Sequence, residues 1–266
     1  MILRKLAFRA AVLGLACIAM LLSSCVTTTT GGFNVDASEE QAVEDYVQLA
    51  IAYYDAGDMG GARRHINNAR QINARHPAVY NILALVFQTE GDLDLAEENF
   101  QRAINLDRDN SRARNNYAAL LFNQNRFEDA YEQLRIVTED VDYPGRAIAF
   151  ENLGRAALRT DRTAEAIQAF GRAVQLNSNL YISSLELAIL SMSEQQWSAA
   201  LQRFQQYQTT VEFYNIPHTP RALLTGIQLG AHFSDQNMVD EYALILTTLY
   251  QDTPEYVIYQ QLSDAN

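Results

Sequence analysis

The sequence predicts an all-α chain folded as a solenoid of about six stacked, antiparallel helix pairs. Three observations predict it. Residues 39–266 are strings of Ala, Leu, Glu, Gln and Arg broken by short polar turns, with almost no alternating β-strand pattern. Apolar positions recur with a period of 34 residues. Each period carries one small residue in its first half and another in its second, which lets two helix axes approach closely.

The period is visible when "ILALVFQTEGDLDLAEENFQRAINL" (82–106) is set against "NYAALLFNQNRFEDAYEQLRIVTED" (116–140). Leu83 matches Tyr117, Ala84 matches Ala118, Ala96 matches Ala130 and Phe100 matches Leu134. One period back lie Leu49, Ala50, Ala62, Ile66 and Ala69. Going forward, Leu153, Gly154, Ala166, Phe170 and Ala173 fall in frame after two extra residues near Tyr143-Pro144. Leu187, Ala188, Ala200 and Phe204 follow 34 later. Gly57-Asp58 and Gly91-Asp92 stand where the turn between helices needs a permissive backbone. The pattern resembles the tetratricopeptide repeat, which implies a right-handed solenoid. Repeats are expected near residues 43–76, 77–110, 111–144, 147–180, 181–214 and 223–256. The sixth is degenerate: Leu229, Gly230, Phe233, Leu246, Leu249 and Pro254 fit the frame, with Tyr242 replacing the second small residue. A capping segment over 255–266 would cover the open end of the core.

The N-terminus reads differently. Arg4, Lys5 and Arg9 precede an uncharged, mostly apolar stretch from Ala10 to Leu22. At 13 residues it is shorter than the roughly 20 that a spanning helix needs. A basic start, a short apolar centre and a small-residue end describe a signal peptide over residues 1–24. Leu22-Ser23-Ser24-Cys25 resembles a bacterial lipobox, which implies cleavage before Cys25 and a lipid on that cysteine. Cys17, the other cysteine of the chain, would leave with the signal. Val26 follows Cys25, where Asp commonly retains lipoproteins in the inner membrane, so the resemblance implies an outer-membrane destination. Residues 25–38 then form a Thr- and Gly-rich flexible tether, and Ser38 with Gln41 resembles a capping box that opens the folded domain over 39–266.

Charge narrows the partners. The chain holds 20 Lys plus Arg against 32 Asp plus Glu, a net of −12. Such a surface repels phosphates, so no nucleic-acid partner is expected. It is also repelled by anionic headgroups, so membrane attachment would rest on acyl chains. The acidity is uneven: residues 77–144 and 181–266 each sum to −7, whereas 145–180 sum to +2. No catalytic signature appears: there is no G-x-S-x-G, no phosphate loop and no H-E-x-x-H. His65, His76, His218 and His232 are never three or four residues apart, so no helical metal pair exists. The expectation is a binding scaffold rather than an enzyme. It needs no cofactor beyond the covalent lipid, no metal and no small-molecule substrate.

Some stretches are more specific than the generic repeat. "ARNNYAALLFNQNRFEDA" (113–130), "DYPGRA" (142–147) and "ENLGRAALR" (151–159) resemble the PilF/PilW family of type IV pilus biogenesis lipoproteins. The sequence departs from the family pattern at Phe122 and Asn125, where cysteine and glycine are common. The resemblance implies a pilotin: an outer-membrane, periplasm-facing lipoprotein that binds secretin subunits and promotes their localisation and multimerisation. The other reading is a lipid-anchored scaffold for another envelope machine, such as outer-membrane protein assembly or cell-wall synthesis.

In such a solenoid the first helix of each pair lines the concave face. Val47, Ile51 and Tyr54 share one helical face in the first repeat. Ile182, Leu185, Ile189 and Met192 correspond in the fifth, and Leu224 and Ile227 in the sixth. The middle is polar: Arg112, Asn115 and Asn123, then Glu151, Arg155 and Arg159. The groove is therefore expected to be apolar at both ends and polar in the centre, with Glu151 and Arg155 also spaced as an i, i+4 ion pair.

Replacing Cys25 by Ala is expected to abolish fatty-acid incorporation while leaving the fold intact. Metabolic labelling with a radioactive fatty acid, beside a thermal melt, checks both halves of that expectation.

Overall fold

The computed structural model describes residues 38–264. The signal peptide, Cys25, Val26 and most of the tether lie outside the described residues. The chain divides into two compact units, residues 1–41 and 42–266. In the described part of the first, the Gln41 N–H donates to the Ser38 hydroxyl at 3.1 Å, the bond of an N-cap.

All thirteen elements among the described residues are α-helices. Helices α1 (Glu39–Asp55) and α2 (Met59–Ile72) form the first pair, and α3 (Pro77–Glu90) and α4 (Leu93–Leu106) the second. Next come α5 (Ser111–Asn123) with α6 (Phe127–Glu139), then α7 (Arg146–Arg159) with α8 (Thr163–Leu176). The fifth pair is α9 (Tyr181–Ser193) and α10 (Trp197–Phe213), and the sixth α11 (Pro220–Phe233) and α12 (Gln236–Leu249). Helix α13 (Pro254–Asp264) packs on α11 at the end of the stack. This is the tetratricopeptide solenoid.

The small residues do what the spacing requires. Ala50, Ala62, Ala84, Ala96, Ala118, Ala130, Ala166, Ala188 and Ala200 are all buried. Ile66, Phe100, Leu134, Phe170 and Phe204 occupy one frame position in successive second helices, and all five are buried. The fit is tight at Gly154, where a Cβ would stand 2.7 Å from the Phe170 ring. Burying each of these large side chains contributes roughly 1.5–3 kcal/mol.

The turn inside each pair uses one conformation six times. Gly57, Gly91, Asn125, Asp161, Gln195 and Ser234 have φ of 78°, 86°, 61°, 59°, 60° and 57°. Each immediately precedes the N-cap of the following helix: Asp58, Asp92, Arg126, Arg162, Gln196 and Asp235. The three Asp caps accept a backbone N–H; the Arg and Gln caps do not.

The same turn corrects the sixth frame. Ser234 holds the left-handed position, so the residues equivalent to Ala188 and Ala200 are Ile227 and Val239, not Gly230 and Tyr242. The cause is upstream. Pro220 occupies the first turn of α11 and Thr219 caps it, accepting from the Ala222 N–H at 3.3 Å. The helix therefore starts three residues before residue 223. With no alanine at either contact, the close approach moves to Gly226, whose added Cβ would lie 2.5 Å from the Tyr242 ring.

Because four of the six left-handed positions are not glycine, the turns differ in intrinsic strain. Gln195→Gly should raise stability by about 0.5–1 kcal/mol, and Gly91→Ala should lower it by about 1 kcal/mol. Urea titrations of the two variants beside the parent check both signs.

Candidate functional site: the concave face

Successive first helices touch one another directly, whereas the second helices do not approach as closely across repeats. The first helices α1, α3, α5, α7, α9 and α11 therefore line the concave side.

That side is held by a polar ladder with one rung per junction. Thr89 on α3 donates to the Tyr54 hydroxyl on α1 at 3.3 Å. The Asn116 amide on α5 donates to Asn81 on α3 at 3.0 Å. The Asn152 amide on α7 donates to Asn115 on α5 at 3.5 Å. The backbone N–H and hydroxyl of Ser183 on α9 donate to Glu151 on α7 at 3.1 and 2.7 Å. Arg221 on α11 forms a two-pronged ion pair with Glu186 on α9, one prong at 2.9 Å. Several rungs are well covered: Asn81, Ser183, Glu186 and Glu151 are all buried.

The ladder changes the standing of several candidate residues. Glu151 is only 8% exposed and sits at the N-terminus of α9, where its charge is favoured by the helix dipole and by free N–H groups. It makes no ion pair with Arg155, so the expected i, i+4 pair is absent. Tyr54 and Asn115 are rungs, half-buried. Val47 is 2% exposed and belongs to the core with Val43, Ala50 and Ala62. Leu185, Leu224 and Ile227 are also buried, and Leu185 and Ile227 pack with Phe204 and Tyr207. Val47 packs against Ala62 and Ile66, and Leu185 and Ile227 against Phe204 and Tyr207, all on second helices, which spacing along one helix does not reveal.

Three clefts take in open candidate residues. At the N-terminal end, Val47, Ile51 and Arg112 line a cleft of about 170 Å³ with Asn81 and Ile82. At the C-terminal end, Ile189, Met192 and Ile227 line a groove of about 1010 Å³. Its other walls are Trp197, Val239, Tyr259 and Leu262. Ile182 is half-buried at the start of α9, outside that groove. In the centre, Asn123 and Arg155 line a cleft of about 40 Å³ with Phe122 and Asn152. The contribution of α13 to the large groove was not expected from the repeat frame. The signal was Tyr256 and Tyr259, three apart on a short helix that would otherwise leave both exposed.

Between the second and third pairs, Glu97 on α4 accepts from the Tyr117 hydroxyl on α5 at 2.5 Å and from Arg126, the N-cap of α6, at 2.8 Å. Burial opposes its charge, but these two bonds outweigh it and hold the carboxyl below its ordinary range. Burial, together with the Glu97 carboxylate, pushes the Tyr117 hydroxyl up. Among the described residues no cluster of His, Cys, Asp and Glu could hold a metal ion, and no helix is long and apolar enough to cross a membrane.

Models of the tetratricopeptide repeat match residues 47–113, 88–144 and 118–180. The type IV pilus assembly protein PilF of Pseudomonas aeruginosa is 32% identical over 91% of this chain and 95% of its own. The chain belongs to the PilF/PilW family of type IV pilus biogenesis proteins. The solved structure of Pseudomonas aeruginosa PilF superposes with a TM-score of 0.79, covering 84% of this chain and 98% of that one. The crystal structure of PilW, described as a widely conserved type IV pilus biogenesis factor, shares the fold. Its TM-score is 0.67 at 23% identity, covering 83% of this chain and 99% of PilW. The polar ladder and both end grooves thus lie on the solenoid of a PilF/PilW protein.

Glu151→Ala removes the acceptor for two buried donors of Ser183. It should cost about 1–3 kcal/mol, and Glu151→Gln, which keeps an acceptor oxygen, should cost less. Equilibrium unfolding of the two variants, read by helical ellipticity, checks the order.

Proposed function

We propose that this chain is a pilotin of type IV pilus assembly: a lipoprotein anchored by Cys25 to the outer membrane, facing the periplasm, that binds secretin subunits and promotes their multimerisation. The observation that carries the reading is the likeness to PilF along nearly the whole of both chains. The lipobox supports the anchor, and the absence of Asp at position 26 supports the outer-membrane destination. One acyl chain binds a membrane weakly and two or more bind stably, so the multiple acylation of bacterial lipoproteins suits a permanent anchor.

The physical logic is local concentration. A Thr- and Gly-rich tether of 14 residues would reach about 20 Å and would keep the concave face near the membrane where a secretin must insert. The end clefts offer what a peptide-binding solenoid needs: small apolar floors flanked by polar side chains that satisfy a partner backbone.

Ile51 and Ile189 are half-buried in those clefts and are not rungs of the ladder. Ile51→Ser and Ile189→Ser should each weaken secretin assembly by about 1–3 kcal/mol while shifting the melt little. Counting heat-resistant secretin multimers in outer membranes measures the effect. Full assembly with both variants would mean that the clefts do not hold the partner.

A further inference from the structure

Arg155 and Arg159 lie one turn apart on α7, and both are exposed. The Arg155 guanidinium stands 4.9 Å from the centre of the Phe122 ring, and that of Arg159 stands 4.0 Å from Phe127. Phe122 is near the end of α5 and Phe127 starts α6. Their rings meet edge to face at 5.0 Å. The α5–α6 turn is thus one aromatic platform beneath two cations.

Neither cation is neutralised. Arg126 and Arg162, the neighbouring N-caps, each take both oxygens of a carboxylate, from Glu97 and Glu128. Arg155 and Arg159 have no carboxylate within 4.0 Å, and Glu151, the nearest acid along the helix, is committed to Ser183. A guanidinium laid on an aromatic face is held in place while the N–H donors around its edge stay free for a planar carboxylate.

Charge decides what docks there. Residues 145–180 sum to +2 between flanks that each sum to −7. An acidic segment approaching the solenoid is repelled along most of its length and attracted at this one place, which sets its register. Size decides its form. The cleft beside Arg155, about 40 Å³ between Ala118, Phe122 and Asn152, admits a single small side chain and excludes a ring or a helix.

We propose that the Arg155–Phe122–Phe127–Arg159 cluster is the docking point for an extended acidic peptide segment of the partner protein, one guanidinium taking each of two carboxylates. Residues one helical turn apart present Cβ atoms about 5–6 Å from each other. Side chains at i and i+2 on an extended strand are about 6.6 Å apart on the same face, so an acid-x-acid spacing fits. Only the identity of that partner as the secretin rests on the reading above; the chemistry of the ligand follows from the cluster.

The test uses the mature chain carrying Cys25→Ala, so that no acyl chain contributes to vesicle capture, and a fluorescent peptide Gly-Ser-Glu-Ser-Glu-Ser-Gly, with a matched Lys-x-Lys peptide, read by anisotropy at low and high salt. The acidic peptide should bind and the basic one should not, and added salt should weaken binding. Arg155→Gln with Arg159→Gln should weaken it about tenfold. Arg102→Gln, which removes a cation stacked on Tyr80 elsewhere, should leave it unchanged. Arg155→Glu with Arg159→Glu should transfer preference to the basic peptide. A thermal melt of each variant separates lost binding from lost fold, and the salt titration of the parent chain stands if a variant unfolds. Equal binding of both peptides overturns the proposal, as does an unchanged affinity in the double Gln variant. Tighter capture of phosphatidylglycerol vesicles than of the peptide also overturns it, because the cluster would then be a headgroup site. If the peptide binds as expected but secretin assembly is normal in the double Gln variant, the secretin reading of the partner fails and the cluster stands.

Discussion

The structure depends on how closely two helices of a pair can approach. A buried Ala or Gly in each first helix faces a large side chain of the second, and at Gly154 there is no room for even one methyl against Phe170. This contact fixes where along each helix its partner can sit. The turn length follows, because the chain must reverse within a few residues of it. The left-handed residue of the turn follows in turn, since six successive pairs place it at the same distance before the next N-cap. With pair geometry repeated, the second-helix position recurs through three successive core clusters, held by Ile66 in the first, by Phe100, Leu134 and Phe170 in the second and by Phe204 in the third.

Apolar burial stacks the pairs, but it does not say how far each is rotated on its neighbour. The polar ladder bears on that. A buried Glu151 or Asn81 is costly unless its partner is met, so only a narrow range of rotations is tolerated. Its rungs all sit on the concave side, where first helices touch. The concave face is consequently built more for register than was apparent, and much of it is already occupied by its own contacts.

This is also where the sequence was legible and where it was not. Helix pairing, the 34-residue period, the two-residue insertion near Tyr143-Pro144 and the turns at Gly57 and Gly91 could all be read from residue type and spacing. These are local or periodic features. The sixth frame is obscured because Gly230 and Leu246 mimic the repeat three residues late, while Pro220 and Thr219 set the helix start. The spacing of Glu151 suggests an i, i+4 pair with Arg155 and hides its real partner, Ser183, which is 32 residues away. Val47, Leu185, Leu224 and Ile227 fall on the expected side of their helices, yet a neighbouring helix covers them. Spacing within one helix fixes the direction of a side chain and not what lies over it.

If the concave face is the binding surface, as proposed, recognition would use what the ladder and the core leave over. That includes the small cleft at Ile51 and Arg112, the larger groove closed by α13, and the paired cations between them. The three differ in chemistry, and they lie in the first, the last and the middle repeats. A rigid stack keeps their spacing constant, so an extended partner that meets all three must present features in one order. On that proposal, specificity would come from the sequence of contact along the groove rather than from the strength of any one cleft. A scaffold with weak individual clefts can still choose one partner, provided that its repeats do not rotate.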